Sequence, residues 1–189
     1  MAGKELIFVD RGVLLNLLAS GCAMDLLRNS EHRYATAVGL ETEGHALWSG
    51  TDESTDPEFA DEVVTASHLV REGLLQTYEI DQHLQEYVGM AVHLSDRQAQ
   101  IAALAIVHGG ALATDDKRTR YVLIEQFDLD ISFLSTTSIF QQWYAAARAN
   151  RERIVAAAQR ASVRAQFRPR EDDPLYIWWL QLLGVNKTT

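Results

Sequence analysis

Leu6-Ile7-Phe8-Val9-Asp10 is a short apolar run that stops on a carboxylate, and Gly12-Val13-Leu14-Leu15-Asn16-Leu17-Leu18 follows at once with helical spacing until Gly21. Four consecutive apolar residues without polar alternation read as a strand buried on both faces, the habit of a parallel sheet. Working outward from this strand and helix, residues 23–28 read as a second short helix, 34–38 as a strand and 40–48 as a helix. Residues 50–58 (Gly-Thr-Asp-Glu-Ser-Thr-Asp-Pro-Glu) are polar and turn-rich, an exposed loop. A helix over 61–71, a strand over 74–80 and a helix over 81–93 come next. Ser95-Asp96-Arg97-Gln98 then opens a helix through Val107, because Ser at the N-cap with Gln three residues later forms a capping box. Gly109-Gly110 ends it, and Ala111-Leu112-Ala113-Thr114 is a short strand leading into Asp115-Asp116. A helix over 117–126 and a strand over 129–134 complete the alternation, and residues 137–167 read as largely helical up to Pro169 and Pro174.

Strand–helix alternation of this kind implies parallel pairing with helices on both faces, a three-layer α/β/α fold around a central parallel sheet. The expected organisation is one domain over residues 1–145 and a helical extension over 146–189 that packs on the domain or on a partner. In such sheets functional groups gather at the carboxyl ends of strands. Asp10 follows the first strand and Asp115-Asp116 follow the strand of residues 111–114, so these carboxylates are expected neighbours despite their separation in sequence.

The bulk composition is that of a globular protein: 189 residues, 47% hydrophobic and 23% charged, which excludes a disordered chain. One cysteine, Cys22, cannot form an internal disulfide and has no CxxC partner, so a reducing cytoplasm is the expected compartment. No basic segment followed by a long apolar run opens the chain, and the apolar stretch 174–185 is too short to span a bilayer, so neither a signal peptide nor a membrane span is expected. The six histidines lack zinc-ligand spacing. Net charge is −9, unevenly spread. Residues 1–116 hold 6 Lys/Arg against 19 Asp/Glu, whereas residues 117–170 hold 10 against 4. An acidic body followed by a basic segment fits an acidic site beside a phosphate-binding flank, and equally a body and tail that pair with each other.

Three segments carry a resemblance to a known family. Val9-Asp10-Arg11-Gly12-Val13-Leu14-Leu15 resembles the opening of PIN-domain nucleases, where a strand ends in Asp-Thr and Val-Leu-Leu begins a helix. Leu94 through Ala105, then Gly109 to Thr114-Asp115-Asp116, is similar to that family's second half, where an acidic residue opens an Ala-rich helix and a short strand ends in Thr-x-Asp. Residues 34–47 are similar to its middle segment, and the likeness spans roughly residues 5–145.

The resemblance implies a Mg²⁺- or Mn²⁺-dependent endoribonuclease, for which clustered carboxylates are suitable hard ligands. Without a cation, such carboxylates repel and hold protons. Carried over residue by residue, Asp10, Glu43 and Asp116 are the implied metal ligands and catalytic residues, with Glu41 as the alternative to Glu43. Asp115 is either a helper ligand or the helix N-cap. Gln98 stands at the third acidic position, where Asp96, two residues earlier, either substitutes or serves the helix dipole. Arg11 replaces the family's small hydroxyl residue and either pairs with Asp10 or holds a phosphate. Lys117, Arg118 and Arg120, with Arg11, are the implied contacts to RNA phosphates. Arg153, Arg160 and Arg164 lie within about 40° of one another on one helix, a face for RNA or for docking on the body. The expected partners are RNA, an antitoxin or other protein, and further copies of the chain. The alternative is a degenerate domain that keeps the scaffold and acts as a non-catalytic binding or assembly module.

Overall fold

In a computed structural model the protein is described over residues 4–40, 64–80, 84–146 and 150–185. Its centre is an all-parallel sheet, and the strands among the described residues are β1 (Leu6–Val9), β2 (Arg33–Ala37), β3 (Leu75–Tyr78), β4 (Ala111–Ala113) and β5 (Phe133–Leu134). Their order is β3-β2-β1-β4-β5. The chain therefore winds one way from β1 to β3 and the other way from β4 to β5, which places the topological switch between β1 and β4. Ligands of open parallel sheets bind beyond the strand ends at such a switch.

Two apolar layers sandwich the sheet, and the period-two alternation of β1 shows why. Ile7 and Val9 join a core with α1 (Arg11–Ala19), α2 (Ala23–Arg28) and α3 (Ala66–Arg71). Leu6 and Phe8 face the opposite core, which holds Met90 of α4 (Leu84–Ala91) and much of α5 (Asp96–Val107). Every residue of β1 is buried, as its unbroken apolar run requires. Ala99, Ala102, Ala103 and Ala105 let α5 lie close on the sheet, and all four are buried. After β4 comes α6 (Lys117–Tyr121), continued by a π-helical turn (Val122–Gln126). Then α7 (Thr136–Ala145), α8 (Arg151–Arg164) and α9 (Tyr176–Leu182) close the first core.

Gly110 sets the entry to β4. A Cβ there would lie 2.6 Å from the Leu6 carbonyl oxygen and 3.1 Å from the Phe8 ring. The neighbour that would have to move is backbone of the central strand, so the clash cannot be relieved by rotating a side chain. Gly110→Ala is expected to cost about 2 kcal/mol, in the range of overpacked cores, and chemical denaturation would read it as a lower midpoint. An unchanged midpoint would show that β1 and β4 separate more easily than their pairing indicates.

The stretch 137–167, expected to be largely helical, is occupied by α7 and α8. Asn150 adopts an extended conformation and its side chain accepts from Arg153 N at 2.8 Å, so it caps a new helix. The tail expected to fold back or enter another chain folds back, with Trp179 and Leu182 buried in the first core. Two arginines of the α8 face are committed to the body: Arg153 pairs with Asp25, and Arg160 Nε donates to the Ser20 carbonyl at 2.6 Å. No helix among the described residues is long and apolar enough to cross a membrane.

Candidate functional site

Asp10 sits where β1 ends and α1 begins. Its N–H continues the sheet pairing by donating to Ala113 O at 3.0 Å, and its Oδ1 accepts from Val13 N at 2.8 Å. The residue is thus the α1 N-cap and a strand-end carboxylate at once; the two roles are compatible. Burial pushes its carboxyl up to about 6, a rise reinforced by the neighbouring charges of Asp115 and Asp116 and opposed by hydrogen bonds from the Thr114 side chain and the Val13 backbone. The first carboxylate and the pair after β4 therefore share one edge of the sheet, across the switch point.

Asp116 is the N-cap of α6, with Oδ1 accepting from Arg118 N at 2.9 Å and Oδ2 from the Thr119 hydroxyl at 2.9 Å. The cap role thus goes to Asp116 and not to Asp115. Asp115 points the other way, into the start of α7. Its Oδ1 accepts from Thr136 N at 2.8 Å, and its Oδ2 accepts from Thr136 Oγ1 at 2.6 Å and from Asn16 Nδ2 at 3.1 Å. Both oxygens are in use, which makes Asp115 a brace between α1, β4 and α7. Burial raises its carboxyl above the ordinary range, against the Thr136 bonds and the Arg120 charge.

Gln98 reaches this edge. Its Oε1 accepts from Ser95 N at 3.2 Å and from Ser95 Oγ at 2.8 Å, which completes the capping box, and its Nε2 donates to Asp116 Oδ2. The position expected to carry an acid therefore faces Asp116 with an amide. Asp96 is exposed at the first position of α5. Glu43 and Glu41 lie outside the described residues. Among the described residues no group of three or more His, Cys, Asp or Glu side chains is arranged to hold a metal ion.

Three of the four basic residues assigned to phosphates, Lys117, Arg118 and Arg120, have other neighbours. Arg11 is exposed and is not among the groups acting on Asp10, so the expected pairing of the two is not seen. Arg120 instead clasps the ends of two strands, donating through Nη2 to Leu134 O at 3.0 Å and to Thr114 O, and through Nε to Thr114 O at 3.1 Å. Its guanidinium also lies over the Phe133 ring. Arg118 Nη2 donates to His93 O at 3.0 Å. Lys117 Nζ meets Asp172 Oδ2 at 2.7 Å, and Arg170 Nε meets Oδ1 of the same carboxylate at 3.1 Å. The hydrogen bonds from these two cations hold the Asp172 carboxyl down at about 2.

Beside Asp115 a cleft of about 670 Å³ opens between the sheet edge and the chain that follows α8. Lys117, Arg164, Arg168 and Arg170 line it, with Asp115 and Asp172. Residues that sequence reasoning left without a role complete the site: Thr114 links Asp10 to the Asp116 backbone, whose N–H donates to Thr114 Oγ1 at 3.1 Å. Asn16 and Thr136 brace Asp115. The one sequence signal for Asn16 was its polarity inside an apolar helical stretch. No family model matches the chain, and the comparison with curated proteins also returns no match.

Proposed function

We propose that the chain is a PIN-type, Mg²⁺- or Mn²⁺-dependent endoribonuclease hydrolysing RNA phosphodiester bonds. What supports the reading is the meeting of Asp10 and Asp116 across the switch point, with burial and neighbouring carboxylates raising the Asp10 carboxyl to about 6. A carboxylate held in that state is one that a cation would relieve. Asp10 and Asp116 are the hard oxygen donors that fit a divalent ion, with Glu43 as the third donor implied by the resemblance. Such an ion supplies positive charge at the scissile phosphate and its leaving oxygen. The chain's own residues do the positioning. Val13 N–H and the Thr114 hydroxyl fix the Asp10 carboxylate, Thr119 fixes Asp116, and Asp115 ties the loop to α7 through Thr136. A protein antitoxin as partner rests on the family resemblance alone.

A second reading, a scaffold that has lost catalysis, is favoured by one observation: Gln98 presents an amide to Asp116 where an acid is expected. Gln98→Glu separates the two. The capping box survives, because Glu serves at N3 as well as Gln. The donor to Asp116 is lost and a like charge takes its place. The variant is expected to bind Mn²⁺ about tenfold more tightly, about 1.4 kcal/mol, and to melt at a lower temperature without metal. Arg11→Thr, at an exposed position, is expected to change neither. The test is calorimetric Mn²⁺ titration with cleavage of structured RNA in Mn²⁺ and in chelator. Wild-type protein that neither binds Mn²⁺ nor cuts RNA would overturn the nuclease reading in favour of the scaffold.

A further inference from the structure

We propose that the cleft between the sheet edge and residues 164–173 binds the phosphodiester backbone of a single RNA strand, and that Asp172 occupies the place of one phosphate there. The strand's identity rests on the nuclease reading above; the anion site rests on the cleft. Each oxygen of the Asp172 carboxylate engages a different cation, Lys117 Nζ at 2.7 Å and Arg170 Nε at 3.1 Å. Two cations from segments 53 positions apart thus converge on one oxyanion, as they would on a phosphate's oxygens. The carboxylate is exposed, so an incoming phosphate can displace it from solvent. Arg168 is exposed on the same cleft and has no hydrogen bond or ion pair among the described residues.

The wall that carries these arginines is anchored. Gln166 takes a left-handed conformation (φ 53°), which ends α8 and lets Phe167 N donate to Ala161 O at 3.2 Å. Phe167 is buried against Trp179, with ring centroids 5.1 Å apart. Asp115 lines the same cleft as Lys117, Arg168 and Arg170, so a strand whose phosphates lie on those cations runs past Asp115. Asp172 is an internal competitor for that strand. It lowers affinity for short or weakly held anions and yields to a chain of several phosphates.

The test is fluorescence anisotropy with a labelled single-stranded RNA in chelator, where nothing is cut, on full-length protein. Asp172→Asn removes the competing charge at an exposed position and is expected to bind at least fivefold more tightly with an unchanged melting temperature. Arg168→Ala with Arg170→Ala is expected to weaken binding at least tenfold. The same pair should flatten the log–log salt dependence by about 1.4, roughly 0.7 per phosphate contact on a single strand. Unchanged or weaker RNA binding by Asp172→Asn would overturn the proposal. So would tightening for a poly-glutamate peptide but not for RNA, which would make the cleft a protein-docking site. RNA bound as expected but left intact in Mn²⁺ would keep the cleft and remove the nuclease reading. RNA that is cut, with binding indifferent to Asp172, would do the reverse.

Discussion

Asp10→Asn is expected to lower Mn²⁺-dependent RNA cleavage by about two orders of magnitude or more, and to raise the melting temperature of the metal-free protein at neutral pH. The activity loss corresponds to about 2.7 kcal/mol in the barrier, the usual cost of removing a principal electrostatic contributor. The stability gain follows from the direction of the Asp10 shift. Its carboxyl titrates at about 6 in the fold against an ordinary value of 3.8, so the fold prefers the protonated form. Below 3.8 the group is neutral in both states and exerts no penalty. Between 3.8 and about 6 the unfolded chain ionises first, and stability falls. Above that window the penalty is constant, at most about 3 kcal/mol at 1.36 kcal/mol per pH unit. Asparagine keeps the cap, since its amide oxygen can accept from Val13 N as the carboxylate does. Melts at pH 7.5 should therefore separate the two proteins by up to about 6–12 °C, and melts at pH 3.5 should bring them together. Saturating Mn²⁺ should reverse the order at pH 7.5 by stabilising the wild type more. Equal melting temperatures at pH 7.5 would mean that the Asp10 charge is solvated, and unchanged cleavage would remove it from the catalytic set.

Some of this was legible because the physics is local. Four apolar residues ending in an aspartate gave β1, and the Ser95–Gln98 capping box placed the start of α5 at the residue observed. Strand-end logic then put Asp10 and Asp116 on one edge, since a parallel sheet has one carboxyl edge. Where the reading failed, the missing information was tertiary. Residues 129–134 alternate like an edge strand, yet only Phe133 and Leu134 pair with the three-residue β4. Asp128 turns at φ 50° and Leu129 N donates back to Leu123 O at 3.2 Å, which uses up the chain that the longer strand needed. The brace of Asp115 by Asn16 and Thr136 joins residues 99 and 21 positions away, beyond any local pattern. Charge was visible but its partner was not. Lys117, Arg118 and Arg120 lie within one helical turn of sequence, and they turn to Asp172, to the His93 carbonyl and to the strand ends respectively.

Trp179→Ala is expected to be the most destabilising single change in the region that follows α8, costing about 4 kcal/mol, within the 3–5 kcal/mol typical of a buried large aromatic. Trp179 is 1% exposed in the core shared by the sheet and α1. Its ring meets Phe140 of α7 edge-on at 5.3 Å and Phe167 at 5.1 Å. α9 has only seven residues and no side-chain cap, so its own helicity cannot hold it in place. Leu182 is buried in the same core, and polar ties add to it: Asp173 accepts from the Thr137 hydroxyl at 2.8 Å and from Leu175 N at 2.7 Å. Truncating the indole removes the apolar anchor on which Phe167 rests, and with it the wall that carries Arg168 and Arg170. RNA affinity should then fall together with stability, whereas Trp179→Phe, which keeps a ring against both neighbours, should cost less and leave RNA binding near the wild-type level. Denaturant unfolding, anisotropy and sedimentation on the three proteins read the outcome. A change of oligomeric state with no loss of unfolding midpoint would mean that Trp179 anchors a second chain in solution and that the cleft wall is built between two copies.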